Sequence, residues 1–220
     1  MHRFESAGLF GGSFDPPHLG HVALVEAAIA LLRLNKLWIV PVETPAHRKL
    51  SGKADGRRRA AWLERLFDGI PEVDILDWEL ELAEPTPTLP TLLRLRSEFP
   101  KLIPVLLLGE DAFAGIRDWV GYPEHCRIAD VAVFRRAGYR CQARRPDDAW
   151  HEVNIDAWHE GQGPGRVIRL EAELPDVSAT RIRELVVQGR SVCGMVPESI
   201  RGEVETCYGS GDAREEKGND

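Results

Sequence analysis

Cysteine is scarce, and the four present, Cys126, Cys141, Cys193 and Cys207, form neither a C-x-x-C pair nor a zinc-like spacing. That argues against a zinc ribbon or a secreted disulfide framework and favours a reduced, cytoplasmic setting. No apolar run reaches the length of a membrane span, and "MHRFESAGLF" has no signal core. A soluble protein with no membrane partner is expected. Long basic runs are missing too, and the formal net charge is −7. The arginines of "GRRRAAWLERLF" (Gly56 to Phe67) lead into an amphipathic pattern and read as a solvated helix end, so no nucleic-acid partner is expected. Two nucleotide signatures are absent: there is no G-x-G-x-x-G and no G-x-x-x-x-G-K-[ST]. An ordinary dinucleotide fingerprint and a P-loop are therefore excluded, which counts against an NAD-dependent oxidoreductase.

What is present is an alternation. Apolar runs such as "AGLFG", "KLWIVPVE", "LIPVLLLGED", "ADVAVFRR" and "GRVIRLEAEL" read as strands, and "VDILDWELEL" reads as extended. Between and after them, "HLGHVALVEAAIALLRLN", "RRRAAWLERLF", "TLPTLLRLRSEF", "SATRIRELVVQG" and "VPESIRGEVETCY" carry helical spacing. Hydrophobic residues make up 43% of the chain, enough for a full core. No repeat or linker divides it. The expectation is a single α/β domain over residues 1–208, a doubly wound parallel sheet with helices on both faces. Residues 138–165 read as a polar insertion or long loop, and 209–220 as a frayed tail. Oligomeric state is not legible.

Ligands of such sheets bind beyond the carboxyl ends of the strands, where "GLFGGSFDPPHLGHV" falls. Gly11 and Gly12 let a bulky group approach the main chain or permit positive φ. Ser13 adds a hydroxyl, and Asp15 can hold the turn. His18 and His21 lie three residues apart, on one helical face, and can offer N–H donors or positive charge to phosphate. Read as separate fragments, these features amount to a Gly-rich turn with two surface histidines; a metal pair lacks further ligands. Far along the chain, Ser178 and Thr180 can cap a helix whose first turn holds Arg181 and Arg183. Cations are unfavourable there unless an anion receives them. The pair of motifs suggests a polyphosphate gripped from two sides.

"GGSFDPPHLGH" resembles the HxGH-motif signature of a nucleotidyltransferase superfamily, and "VSATRIR" resembles its later Ser/Thr-rich motif. "PVETPAHRKL", "LLLGEDAFAGIRDW" and "VAVFRRAGY" resemble the bacterial nicotinate-nucleotide adenylyltransferases. The resemblance runs from about Leu9 to about Tyr208. It implies a Rossmann-like fold and transfer of AMP from ATP to nicotinate mononucleotide, giving deamido-NAD and pyrophosphate. It further implies that His18, His21 and Arg183 are catalytic. Gly11, Gly12, Ser13, Phe14, Asp15, Ser178, Thr180 and Arg136 would hold ATP, with Mg²⁺ bound mainly through its phosphates. His47, Arg48, Thr88, Asp111 and Trp119 would meet the acceptor nucleotide. The chain departs from the pattern at Pro87, where an aromatic is usual, and at Val120. Open alternatives are the same chemistry on nicotinamide mononucleotide or another phosphate-bearing acceptor, and a non-catalytic nucleotide-binding regulator.

Overall fold

A computed structural model of the chain describes residues 6–43, 54–81, 86–136, 149–161 and 163–209. In chain order the first half comprises β1 (Ser6–Gly12), α1 (Leu19–Leu32), β2 (Lys36–Pro41), α2 (Gly56–Phe67), β3 (Val73–Ile75) and α3 (Thr88–Glu98). The second half comprises β4 (Ile103–Gly109), α4 (Glu110–Ala114), β5 (Asp130–Arg136), β6 (His151–Val153), α5 (Ile155–Glu160), β7 (Arg166–Ala172), α6 (Ala179–Val187) and α7 (Glu198–Gly209). The strands form one seven-stranded sheet in the order β3-β2-β1-β4-β5-β7-β6, and every pairing is parallel. The doubly wound α/β architecture expected from the alternation is the one observed.

Strand residues alternate between two apolar layers, as a sheet buried on both faces requires. Phe10, Leu37, Ile39, Val105, Leu107 and Phe134 pack with Leu24, Val25 and Ala28 of α1 and Leu63 of α2. Leu9, Trp38, Val40, Leu106, Leu108 and Val133 pack with Leu92 and Leu95 of α3 and Phe113 of α4. A third cluster joins Trp62 of α2 to Ile182 and Leu185 of α6 and to Val204 and Tyr208 of α7. This cluster fixes the last two helices against α2.

The order of connections reverses at β1, since the chain passes from β1 to β2 and β3 on one side and then to β4 on the other. Such a switch point opens a crevice at the carboxyl ends of the two central strands. The opening motif leaves β1 there.

Three local expectations fail for physical reasons. "VDILDWELEL" is extended only over β3 and then turns at residues 78–80. Residues 151–153 form the sheet's edge strand β6 and residues 155–160 form α5, where a polar loop was expected. Trp158 of α5 is buried in one apolar layer and Trp150 in the other, and these two rings hold β6 and α5 in place. Finally, Arg59 of "GRRRAAW" is fully buried instead of solvated. The remainder of that insertion before residue 149, and the tail from residue 210, lie outside the described residues.

Candidate active site

The turn after β1 is built differently from its expected form. Gly11 and Gly12 are strand residues, and the left-handed position belongs to Phe14, at φ 47°. Phe14 adopts it because its ring is buried, edge-on to Phe10 at 5.2 Å and to His21 at 4.9 Å. Gly11 instead leaves room: a Cβ there would meet nothing within 4 Å, so the strand end faces open space.

Three neighbours clamp the turn. Arg59 donates to the carbonyls of Ser13, Val42 and Ala54, the latter two at 2.8 and 3.2 Å. Burial pulls the Arg59 guanidinium below its usual value, while Glu43 and then Asp15 oppose that shift; arginine stays charged regardless. Tyr208 donates its hydroxyl to Asp15 Oδ1 at 2.5 Å. Burial, then the Asp15 contact, push that phenol far upward, so it stays a donor. Arg183 donates to the Asp15 carbonyl, and its guanidinium lies 3.7 Å from Asp15 Oδ2. Asp15 thus ties the turn to α6 and α7 rather than bracing it locally.

His18 caps α1 and stacks on His21, with ring centroids 3.7 Å apart and planes 18° from parallel. The His18 backbone N–H donates to His21 Nδ1 at 3.1 Å. A nitrogen that accepts cannot carry the proton, so neutral His21 bears its hydrogen on Nε2. The motif therefore presents an N–H donor without needing a protonated ring. The helix start is less open than expected, because Leu19 N–H donates to Met195 O at 3.0 Å.

On α6, Ser178 caps the helix by accepting from Arg181 N–H at 3.2 Å. Arg181 turns back to Glu184 at 3.8 Å, whereas Arg183 bonds Thr180 Oγ1 at 3.3 Å and reaches Asp15. Asp15 and Arg183, 168 residues apart in sequence, bring the two motifs into contact.

Two cavities flank the end of β1. One, of about 200 Å³, is lined by Phe10, His18, His21, Gly109, Glu110 and Asp111, among others. The other, of about 320 Å³, is lined by Gly11 to Ser13, Glu79, Thr86 to Thr88, Thr91 and Trp119, among others. Thr88 and Trp119 thus line one cavity. Asp111 stands in the histidine cavity, not with them. Arg136 ends β5, with its side chain outside what is described; His47 and Arg48 also lie outside the described residues. Among the described residues no group of three or more His, Cys, Asp or Glu gathers to hold a metal. The donors here are N–H groups and guanidinium, which suit phosphate oxygens.

Sequence reasoning missed Arg59, Tyr208 and Glu79. Arg59 had a signal: it shares helical spacing with the buried Trp62, Leu63 and Phe67. Tyr208 and Glu79 had none that distinguishes them from neighbouring residues.

A parallel sheet reversing beside an HxGH turn, met by a Ser/Thr/Arg helix, defines a nucleotidyltransferase-type domain. The chain belongs to the cytidylyltransferase-like family, whose model matches residues 9–185. Its relatives narrow the class. A protein of Thermotoga sp. (strain RQ2), named probable nicotinate-nucleotide adenylyltransferase, is 32% identical over 96% of this chain and 100% of its own length. One of Chlorobium limicola with the same name is 36% identical over 88% of this chain and 92% of its own. Among solved structures, Plasmodium falciparum nicotinic acid mononucleotide adenylyltransferase complexed with NaAD superposes with a TM-score of 0.69. It covers 92% of this chain and 95% of that one at 14% identity, a likeness of fold. No helix of the described residues is long and apolar enough to cross a membrane.

Proposed function

We propose that this chain is a nicotinate-nucleotide adenylyltransferase, which joins AMP from ATP to nicotinate mononucleotide and releases pyrophosphate. The observation that carries the reading is the pair of cavities on either side of the β1 end, one lined by His18 and His21 and the other by Thr88 and Trp119. ATP occupies the histidine side, and the pyridine nucleotide occupies the tryptophan side. Their phosphates meet across the glycine end of β1.

The attacking group is already an anion. A phosphate oxygen of the acceptor forms a bond to the α-phosphorus while the bond from that phosphorus to the bridging oxygen breaks, and pyrophosphate leaves with the electron pair. No protein nucleophile is needed. What the protein supplies is alignment and fixed donors for the charge that moves onto the leaving group. His21 offers Nε2–H to an oxygen of the α-phosphate, with His18 stacked beside it. Arg183 lies on the departing side, poised by Thr180 and the Asp15 turn. Gly11 leaves space for the phosphates to approach, and Ser178 and the α6 start add donors. Trp119 stacks on the pyridine ring, and Asp111 holds a ribose hydroxyl on the ATP side. Mg²⁺ would accompany ATP, held mainly through the ATP phosphates rather than by side chains of this chain, and would lessen the repulsion between the two anions.

The test is pyrophosphate release with MgATP and either nicotinate or nicotinamide mononucleotide, measured in parallel. Release with nicotinate mononucleotide, lost in the His18→Ala, His21→Ala double variant, is expected. Release that survives the double variant ends the assignment of the histidines. Binding of MgATP without any release favours a nucleotide-binding regulator.

A further inference from the structure

Glu79 is a carboxylate in an unusual place. Only 6% of it is exposed, yet it lines the same cavity as Trp119 and Thr88. Its Oε1 accepts from the Thr91 hydroxyl of α3. The surrounding elements bring no opposing charge to it among the described residues. After β2, Glu43 donates its backbone N–H to the Glu79 carbonyl at 3.4 Å, but its carboxylate leans toward Arg59 at 3.8 Å. On α3, Arg94 lies over the Trp78 ring at 3.8 Å and pairs with Glu98. The first turn of α3 adds a partial positive charge, and the β1 end adds only backbone. Burial therefore dominates, the Thr91 hydrogen bond opposes it, and the carboxyl is pushed up to about 7.

The two candidate acceptors share a ribose and a 5′-phosphate and differ in one ring substituent, an anionic carboxylate or a neutral carboxamide. A buried acid beside the ring distinguishes them by its own charge. We propose that Glu79 is a specificity-determining residue of the acceptor cavity: as the neutral acid it favours the carboxylate-bearing ring, and once ionised it repels that ring and accepts from the carboxamide. This rests on the adenylyltransferase reading above. Acceptor preference is thereby set by a proton near neutrality.

The experiment measures kcat/KM for both acceptors at saturating MgATP between about pH 6 and about pH 8, a window centred on the Glu79 value of about 7. Titration of the phosphate that both acceptors share cancels in the ratio. The ratio of nicotinate to nicotinamide mononucleotide falls roughly tenfold across that window, the scale of one charge meeting another in a partly buried site. Glu79→Gln flattens the ratio. Thr91→Val removes a bond that favours the ionised form and moves the midpoint to higher pH. A constant ratio in the unsubstituted protein, or an unchanged fall in Glu79→Gln, overturns the proposal while leaving the adenylyltransferase reading intact. No pyrophosphate release with either acceptor overturns both.

Discussion

The two cavities at the end of β1 share a strand but are built on opposite principles. On the histidine side the donors are held in place by other groups, His21 by the His18 backbone and, at the neighbouring start of α6, Arg183 by Thr180 and Asp15, while Glu110 and Asp111 line the cavity's far wall. On the tryptophan side the polar group is a buried acceptor, Glu79, steadied by one hydroxyl. The first arrangement suits a ligand whose charge is always negative and always in one place. The second suits discrimination between rings of similar shape and different charge. Positioning is strong where charge must be stabilised, and titratable where it must be compared.

The largest effect that can break this contrast is on turnover. His21→Ala removes one fixed donor and should lower kcat for pyrophosphate release by roughly 100- to 1,000-fold, with the KM for ATP changed far less. An equal rise in KM with kcat intact would make His21 a simple binding residue. Next comes Arg59, which is fully buried against the turn after β1. Arg59→Met leaves the carbonyls of Ser13, Val42 and Ala54 without their donor, and urea unfolding should show a loss of ~2–4 kcal/mol.

Glu79 sharpens the contrast through stability. Its folded value lies above the ordinary 4.5, at about 7, so the stability that its neutral form contributes is complete below about 4.5 and is lost as pH climbs through about 7. Glu79→Gln, which keeps an acceptor for Thr91 and cannot ionise, should gain roughly 1–3 kcal/mol over the unsubstituted protein as pH rises from about 5 to about 8. A pH-independent difference would place Glu79 in contact with solvent. The smallest expected effect is at Trp119. Trp119→Ala should raise the KM for the pyridine acceptor by about tenfold and leave that for ATP within about twofold, as removal of one stacking ring implies.

What the sequence disclosed follows from what periodicity can carry. β1, β2, β4 and β5 carry nearly continuous apolar runs, β7 keeps Val167, Ile168 and Leu170 among its charges, and α6 has its cap, apolar face and closing glycine in order, so each was legible. The meeting of the HxGH turn with the Ser/Thr/Arg helix could be expected because both ends advertise an anion. Other features depend on tertiary contacts that leave no local trace. β6 is three residues long and exists because Trp150 and Trp158 are buried on opposite faces of the sheet. Positive φ fell on Phe14 rather than on a glycine because ring packing outweighs the backbone preference. Glu79 sits among acidic neighbours in "DWELELAE", and nothing in that string singles it out as a carboxyl that α3 covers. Asp111 was grouped with the acceptor contacts from resemblance, and the fold places it across β1 with the histidines.

The central claim is that the turn after β1 and the start of α6 form a single cradle for one triphosphate chain. A crystal structure with a non-hydrolysable ATP analogue tests it most directly. The account predicts phosphate oxygens within hydrogen-bonding distance of both His21 Nε2 and the Arg183 guanidinium. An analogue whose phosphates touch only one of the two, or which binds on the tryptophan side, would contradict it.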